Sequence, residues 1–217
     1  MKKVILFDLD GTLTESGEGI TKSVQYALEK MGKPEPDRQK LLVFVGPPLT
    51  EQFMAYAGMS REEAEQAVVY YKERYSVTGI FENRPYPGIP EMLKKLKEKG
   101  FLLAVASSKS EEAVDRVLEH FSLKEYFDEA VGSLKDGGRS RKSDVIEEVL
   151  RRLDKSDDRE NVLMVGDKEH DIFGAKEAHI PCVAVAYGYG SMEELEAAKP
   201  LKIVHNADEL LEYLLSL

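Results

Sequence analysis

The chain has 217 residues, 42% of them hydrophobic, and a formal net charge of −10; it can bury the core of one large domain or of a domain carrying an insertion. That negative balance opposes sequence-independent attraction to nucleic-acid polymers and anionic membranes, so neither is expected as a partner. Between Lys3 and Asp8 only Val4 to Phe7 are apolar, too short a run for a signal peptide or a membrane span, and a cytoplasmic location is expected.

The first expected element is an apolar strand, Val4-Ile5-Leu6-Phe7, which runs into Asp8-Leu9-Asp10-Gly11-Thr12. Strand side chains alternate faces, so carboxylates two residues apart point the same way and converge at the strand's carboxyl end. Like charges so placed stay ionised together only beside a cation; otherwise one takes a proton. Hard oxygen ligands suit Mg²⁺. Asp and Gly also favour turns, and a plain turn closing the strand is the other reading of this run.

Beyond Leu13 the pattern turns helical, with Ile20, Val24, Ala27, Leu28 and Met31 at helix spacing before Gly32. Leu41 to Val45 make a second apolar stretch, Gly46-Pro47-Pro48 breaks it, and 49–57 resume before Gly58. Ser60-Arg61-Glu62-Glu63 reads as a capping box opening a helix through about Tyr75. Tyr26, Phe53, Tyr56, Tyr70 and Tyr71 fit helix packing better than a stacking platform. Prolines and Gly88 make 83–88 a stiff connector.

From there helices and apolar strands alternate. Helices are expected from Pro90 to Gly100 and over 110–120, 144–153 and 171–178; strands over 101–106, 128–132, 161–165 and 182–186, with a last edge at Ile203-Val204. This order argues for an α/β fold, a doubly wound, mostly parallel sheet interrupted early by an all-helical insert. The expected units are 1–14 with 86–217, and 15–85. Cys182, the single cysteine, cannot form an internal disulfide and reads as a small buried hydrophobe.

Three polar clusters end apolar strands: Asp8/Asp10, Ser107/Ser108 and Gly166/Asp167. In such sheets ligands bind outside the carboxyl ends of the strands. Asp171 follows Asp167 at the start of a helix, and Asp8, Asp167 and Asp171 together suit a divalent cation; the other reading makes Asp171 a helix N-cap. Arg139, Arg141 and Lys142 also precede a helix, where cations are disfavoured. A bound phosphate or phosphorylated carboxylate would account for them, a solvated basic loop is the alternative, and the pattern does not choose among the three. No His/Cys spacing suits zinc, although His170 lies within the last cluster.

Taken together, these residues resemble the haloacid dehalogenase superfamily, whose four motifs fall in this order. Asp8-Leu9-Asp10-Gly11-Thr12-Leu13-Thr14 is similar to the first, Ser107 to the second, Lys142 to the third, and Gly166-Asp167 with Asp171 to the fourth. The early helical insert resembles the phosphoglycolate phosphatase-like branch. Val45-Gly46-Pro47-Pro48-Leu49, the stretch 132–142 and Tyr187-Gly188-Tyr189-Gly190 resemble its 5′-nucleotidase-like members.

The resemblance implies a Mg²⁺-dependent phosphatase acting on a small phosphomonoester, phosphoglycolate or a nucleoside 5′-monophosphate, through an aspartyl phosphate. Asp8 would be the nucleophile, and Asp10 the general acid and base as well as a metal ligand through its backbone carbonyl. Lys142, Ser107, Ser108 and Gly11 would hold the phosphoryl group; Asp8, Asp167 and Asp171 would complete the metal site. The insert would be a cap hinged at 15–19 and 84–88 that sets substrate choice, with Gly46 and Lys22 as candidates. A phosphomutase would use the same motifs. A dehalogenase would not want an acid at position 10, and a phospho-receiver would carry its acceptor on the third strand. A monomer or weak dimer is expected.

Overall fold

A computed structural model describes residues 3–134, 138–139 and 141–217; Lys2, and Gly137 and Ser140 of the basic loop, lie outside the described residues. The chain separates into two compact units, Met1–Thr14 with Pro85–Leu217, and Glu15–Arg84.

The first unit is built on a six-stranded sheet whose described pairings are all parallel: β1 (Val4–Phe7), β2 (Leu102–Ser110), β3 (Glu129–Ser133), β4 (Val162–Gly166), β5 (Cys182–Val185) and β6 (Lys202–Val204), in the order β3-β2-β1-β4-β5-β6. This is the doubly wound arrangement, and β1, flanked by β2 and β4, borders the point where the winding reverses. Phe7 is in register with both Val105 and Val165, so the residues that follow these three strands emerge at one edge.

The second unit contains α1 (Gly17–Lys30), α2 (Leu49–Ala57) and α3 (Arg61–Tyr75), with a 3₁₀ segment over Arg38–Phe44 where the sequence left an unassigned apolar stretch. Ser60 and Glu63 form the expected capping box. Phe44 packs on Phe53 and Tyr56 at centroid distances of 4.9 and 5.4 Å, and Tyr71 stacks on Tyr75, which accounts for these aromatics as packing. Lys22 is engaged by Glu18 and Glu82 at 2.6 and 2.9 Å, and Arg74 joins them through Glu82.

The sheet is covered by α4 (Ile89–Glu98), α5 (Glu111–His120), α6 (Lys142–Arg152), α7 (Glu169–Glu177), α8 (Met192–Ala198) and α9 (Ala207–Ser216). On one face Val4, Leu6, Ala104, Met164, Cys182 and Ala184 pack with Val145 and Val149 of α6, Ile172 of α7 and Leu195 of α8. The alternate residues Ile5, Phe7, Leu103, Val105, Val165 and Val183 are also fully buried and by the pleat face the other way; the sheet therefore has no wet face, as its continuous apolar strands require.

Several boundaries differ from those expected. The second strand continues past Ala106 to Ser110, with an irregular register against β3, because Ser107 to Ser110 keep extended backbone although they are polar. Helix α6 begins at Lys142 and α7 at Glu169, so polar first turns extend both helices beyond their apolar pattern. Neither α8 nor α9 was anticipated. Only Leu195 and Ala198 of α8 are buried, too few to give a period, whereas α9 carried a signal in Asn206, whose side chain accepts from the Glu209 N–H.

Within the helical unit a Cβ on Gly19 would lie 1.9 Å from the Gly79 carbonyl oxygen, closer than any contact allows. Gly19→Ala is expected to destabilise that unit by about 1–3 kcal/mol through overpacking, seen as faster hydrogen exchange in α1 and α3; unchanged exchange would refute the close approach.

Candidate active site

Asp8 stands one residue beyond β1, and its N–H donates to the Val165 carbonyl at 2.9 Å, carrying the strand pairing to the sheet edge. Its carboxylate is buried against the Lys142 ammonium, with Nζ 2.9 Å from Asp8 Oδ1, 2.8 Å from Asp171 Oδ1 and 3.0 Å from the Ala106 carbonyl. The ammonium thus donates to one backbone carbonyl and forms ion pairs with two carboxylates, all inside the protein. Burial works against the Lys142 charge, but Asp171 and Asp8 outweigh it and hold the group protonated above its usual range. For Asp8, burial outweighs the pull of Lys142 and pushes the carboxyl up to about 6.

Asp167 is the most enclosed of the acids. Thr12 Oγ1 donates to its Oδ1 at 3.2 Å and the Tyr189 N–H to its Oδ2 at 2.8 Å. Burial, then the charges of Asp171 and Asp8, raise its carboxyl well above the ordinary range. Asp171 is not the N-cap: it sits in the first turn of α7, and its Oδ2 accepts the Asp167 and Lys168 N–H groups at 3.1 Å each. Ligand oxygens of Asp8, Asp167 and Asp171 lie within 4.8 Å of one another. When ionised, three carboxylates beside one ammonium leave two negative charges, so this donor set fits one divalent cation with oxygen ligands.

Glycine backbones wall Asp167 in. A Cβ on Gly11, which has φ +86°, would lie 2.2 Å from Asp167 Oδ2; one on Gly188 would lie 2.3 Å from its Cβ, and one on Gly190 2.1 Å from its carbonyl oxygen. The Tyr-Gly-Tyr-Gly segment, a resemblance in the sequence, packs its backbone onto a carboxylate of the acidic cluster. Tyr187 fixes the same segment by donating to the Thr12 carbonyl at 2.9 Å. The resemblance assigns phosphoryl oxygens to backbone N–H groups near Gly11; the Gly11 N–H itself donates to the Thr14 carbonyl at 2.8 Å, and the glycine serves the turn and the close approach of Asp167.

Asp10 is buried at the same edge, where its charge also raises Asp8. Its Oδ2 pairs with Lys109 Nζ at 2.5 Å, in side chains 10% and 8% exposed; Asp10 Oδ1, like Asp8 Oδ1 and Asp171 Oδ1, is buried without a hydrogen-bond partner among the described residues. Lys109 was missed in the sequence; the only signal was its place after Ser107-Ser108. Ser107 is buried, with its hydroxyl accepting the Lys109 N–H at 3.3 Å, and Ser108 is half-buried. Of the three cations before α6 only Lys142 reaches the acids: Arg141 is exposed and pairs with Asp144 at 2.8 Å, and Arg139 is buried elsewhere. His170 is exposed near Glu169, and the Cys182 thiol is buried and pushed up by burial, an inert hydrophobe.

The sequence matches the model of haloacid dehalogenase-like hydrolases over residues 5–185. The chain belongs to that family. As a haloacid dehalogenase-like hydrolase it is 45% identical over 198 residues to a 5′-nucleotidase of Pseudomonas aeruginosa, covering 90% of this chain and 88% of the relative. It is 38% identical to the tyrosine-protein kinase PtkA of Mycobacterium tuberculosis, over 98% of this chain and 72% of that one. The crystal structure of a predicted phosphatase from Clostridium acetobutylicum superposes with a TM-score of 0.95 at 45% identity, over 100% of both chains. Among the described residues no helix is long and apolar enough to cross a membrane.

The folded-state Asp8 carboxyl lies above its ordinary value of 3.8, so its contribution to stability is complete below about pH 4 and is lost as pH rises through 6. A divalent cation that neutralises the cluster offsets that loss and needs the carboxylates ionised. Mg²⁺ is therefore expected to raise Tm more at pH 7.5 than at pH 5 in scanning calorimetry. An equal shift at both values, or none, would contradict the electrostatic reading of the cluster.

Proposed function

We propose that this hydrolase is a Mg²⁺-dependent phosphatase that cleaves a small phosphomonoester through an aspartyl phosphate on Asp8, with nucleoside 5′-monophosphates as the first candidate substrates and phosphoglycolate as the second. The observation that carries the reading is the pairing of each carboxylate with its own ammonium: Asp8 lies against Lys142 in the acidic cluster, and Asp10 against Lys109. The 45% identity to a 5′-nucleotidase ranks the substrates.

In this reaction Asp8 attacks phosphorus and the ester bond breaks as Asp10 gives its proton to the leaving oxygen. A water then attacks the phosphoaspartate, Asp10 takes its proton, and phosphate leaves with Asp8 restored. Lys142 neutralises charge on the nucleophile and the transferring group, and Ser107 and Ser108 hold phosphoryl oxygens. Mg²⁺, held by Asp8, Asp167, Asp171 and the Asp10 carbonyl, would supply the positive charge that lets a carboxylate meet a phosphate dianion. The preorganised charges must together lower the barrier by on the order of 20 kcal/mol. The Glu15–Arg84 unit is assigned the role of a cap that selects the substrate and excludes water, and the enzyme is taken to act in the cytoplasm as a monomer or weak dimer.

Phosphate release from nucleoside monophosphates, phosphoglycolate and sugar phosphates, with Mg²⁺ and with EDTA, is expected to show metal-dependent turnover concentrated on the nucleotides. Release only with a bisphosphate activator would point to a phosphomutase, and transfer to tyrosyl peptides to a kinase; either would overturn hydrolysis. Asp8→Asn should abolish turnover with the fold intact. Lys142→Ala should cost about 10²-fold or more in kcat, as for loss of a transition-state donor, whereas Arg141→Ala should leave it nearly unchanged; equal losses would remove Lys142 from the chemistry.

A further inference from the structure

Helix electrostatics disfavours three cations ahead of α6, and Arg141 and Lys142 account for only two of them. The third, Arg139, is 8% exposed and touches none of the site carboxylates. Its Nε donates to the Gly132 carbonyl at 2.8 Å, one terminal nitrogen is bonded to Glu111 Oε2, and the other lies 3.3 Å from Glu148 Oε1.

The contacts continue into a closed ring. Arg152 donates to both oxygens of Glu111 at 3.0 and 3.1 Å and to Glu148 Oε1 at 2.8 Å, and lies 3.7 Å from Glu129. Glu111 Oε2 also accepts the Gly132 N–H at 3.4 Å. Two guanidinium forks and three carboxylates thus join the first turn of α5, both ends of β3, the residues before α6 and the body of α6. A planar guanidinium fixes direction as well as distance, which a lysine would not.

The placement of the ring gives it a function. Arg139 lies three residues before Lys142, and Glu111 two residues after Lys109, so the ring anchors both segments that bring ammonium groups to the site. Gly132 leaves no slack between them: a Cβ there would lie 2.4 Å from the Lys109 carbonyl oxygen and 2.5 Å from the Glu111 nitrogen. Lys142 must meet Asp8, Asp171 and the Ala106 carbonyl at once. A misplacement of about 1 Å at a reacting centre costs on the order of 10²-fold in rate.

We infer that Arg139, acting through Glu111 and Arg152, is a positioning residue that sets where the Lys142 ammonium stands between Asp8 and Asp171. Its importance for turnover rests on the role of Lys142 proposed above, but the placement itself does not, and the two are separable by experiment. Arg139→Gln, Arg139→Lys and Glu111→Gln would be compared with Leu214→Ala, a core truncation on α9 remote from the ring that controls for lost stability. The first readout is the rate at which trinitrobenzenesulfonate modifies Lys142, followed by peptide mass spectrometry below the melting temperature without Mg²⁺ or substrate and normalised to exposed Lys94; the second is kcat and KM on the best phosphomonoester.

Arg139→Gln and Glu111→Gln should raise Lys142 modification several-fold and lower kcat by about 10- to 100-fold while KM changes little, the mark of a lost transition-state arrangement. Arg139→Lys, which keeps the charge without the fork, should fall between, and it carries the test where the glutamine variants do not fold. Leu214→Ala should change neither readout. Ring variants that match Leu214→Ala in both readouts at a comparable fall in Tm would overturn the inference. Absence of turnover in the unaltered protein would defeat the proposed function and leave the modification rates to decide the placement.

Discussion

Burying an ammonium costs several kcal/mol unless acceptors surround it, and burying carboxylates costs as much again. At the edge of this sheet the two costs are set against each other: Lys142 stands between Asp8 and Asp171 with a backbone carbonyl as its third acceptor. This one contact joins three elements, because Asp8 follows β1, Lys142 opens α6 and Asp171 lies in the first turn of α7. Gly174 lets the two helices approach, since a Cβ there would lie 2.6 Å from Lys142 Cβ. Removing either side would leave a buried charge uncompensated, so the packing of α6 against α7 and the electrostatics of the site are one constraint.

The same economy explains the glycines. Asp167 is raised by burial and by two neighbouring acids, and the protein answers with close backbone rather than another cation. Gly11, Gly188 and Gly190 allow that approach, and the Tyr189 N–H and Thr12 hydroxyl supply donors. These donors orient Asp167 without cancelling the net charge of the cluster, which is the condition for holding a divalent cation. A fully neutralised cluster would be more stable and would bind metal less well.

How much of this was legible in the sequence follows the range of the interactions. The α/β class and the sheet could be read because apolar strands and amphipathic helices are local patterns, and the placement of Asp8, Asp167 and Ser107 follows from strands that end at a common edge. Lys109 could not be read: its partner Asp10 is 99 positions away, and nothing local distinguishes it from a solvated lysine. The choice among Arg139, Arg141 and Lys142 was open for the same reason. β1 ends at Phe7, and beyond it Asp8 and Asp10 take different partners, Lys142 and Lys109, which no local pattern announces.

That difference of partners bears on the chemistry. Asp8 and Asp10 each have their own ammonium, Lys142 and Lys109. A group that must act as nucleophile gains from permanent neutralisation, which suppresses repulsion by an anionic substrate. A group that must first give and then take a proton needs a different setting, within reach of both the leaving oxygen and the attacking water. Asp10 pairs with Lys109 at the same sheet edge, so the division of labour in the proposed reaction follows from two ammonium partners that come from different elements, Lys142 at the start of α6 and Lys109 on β2.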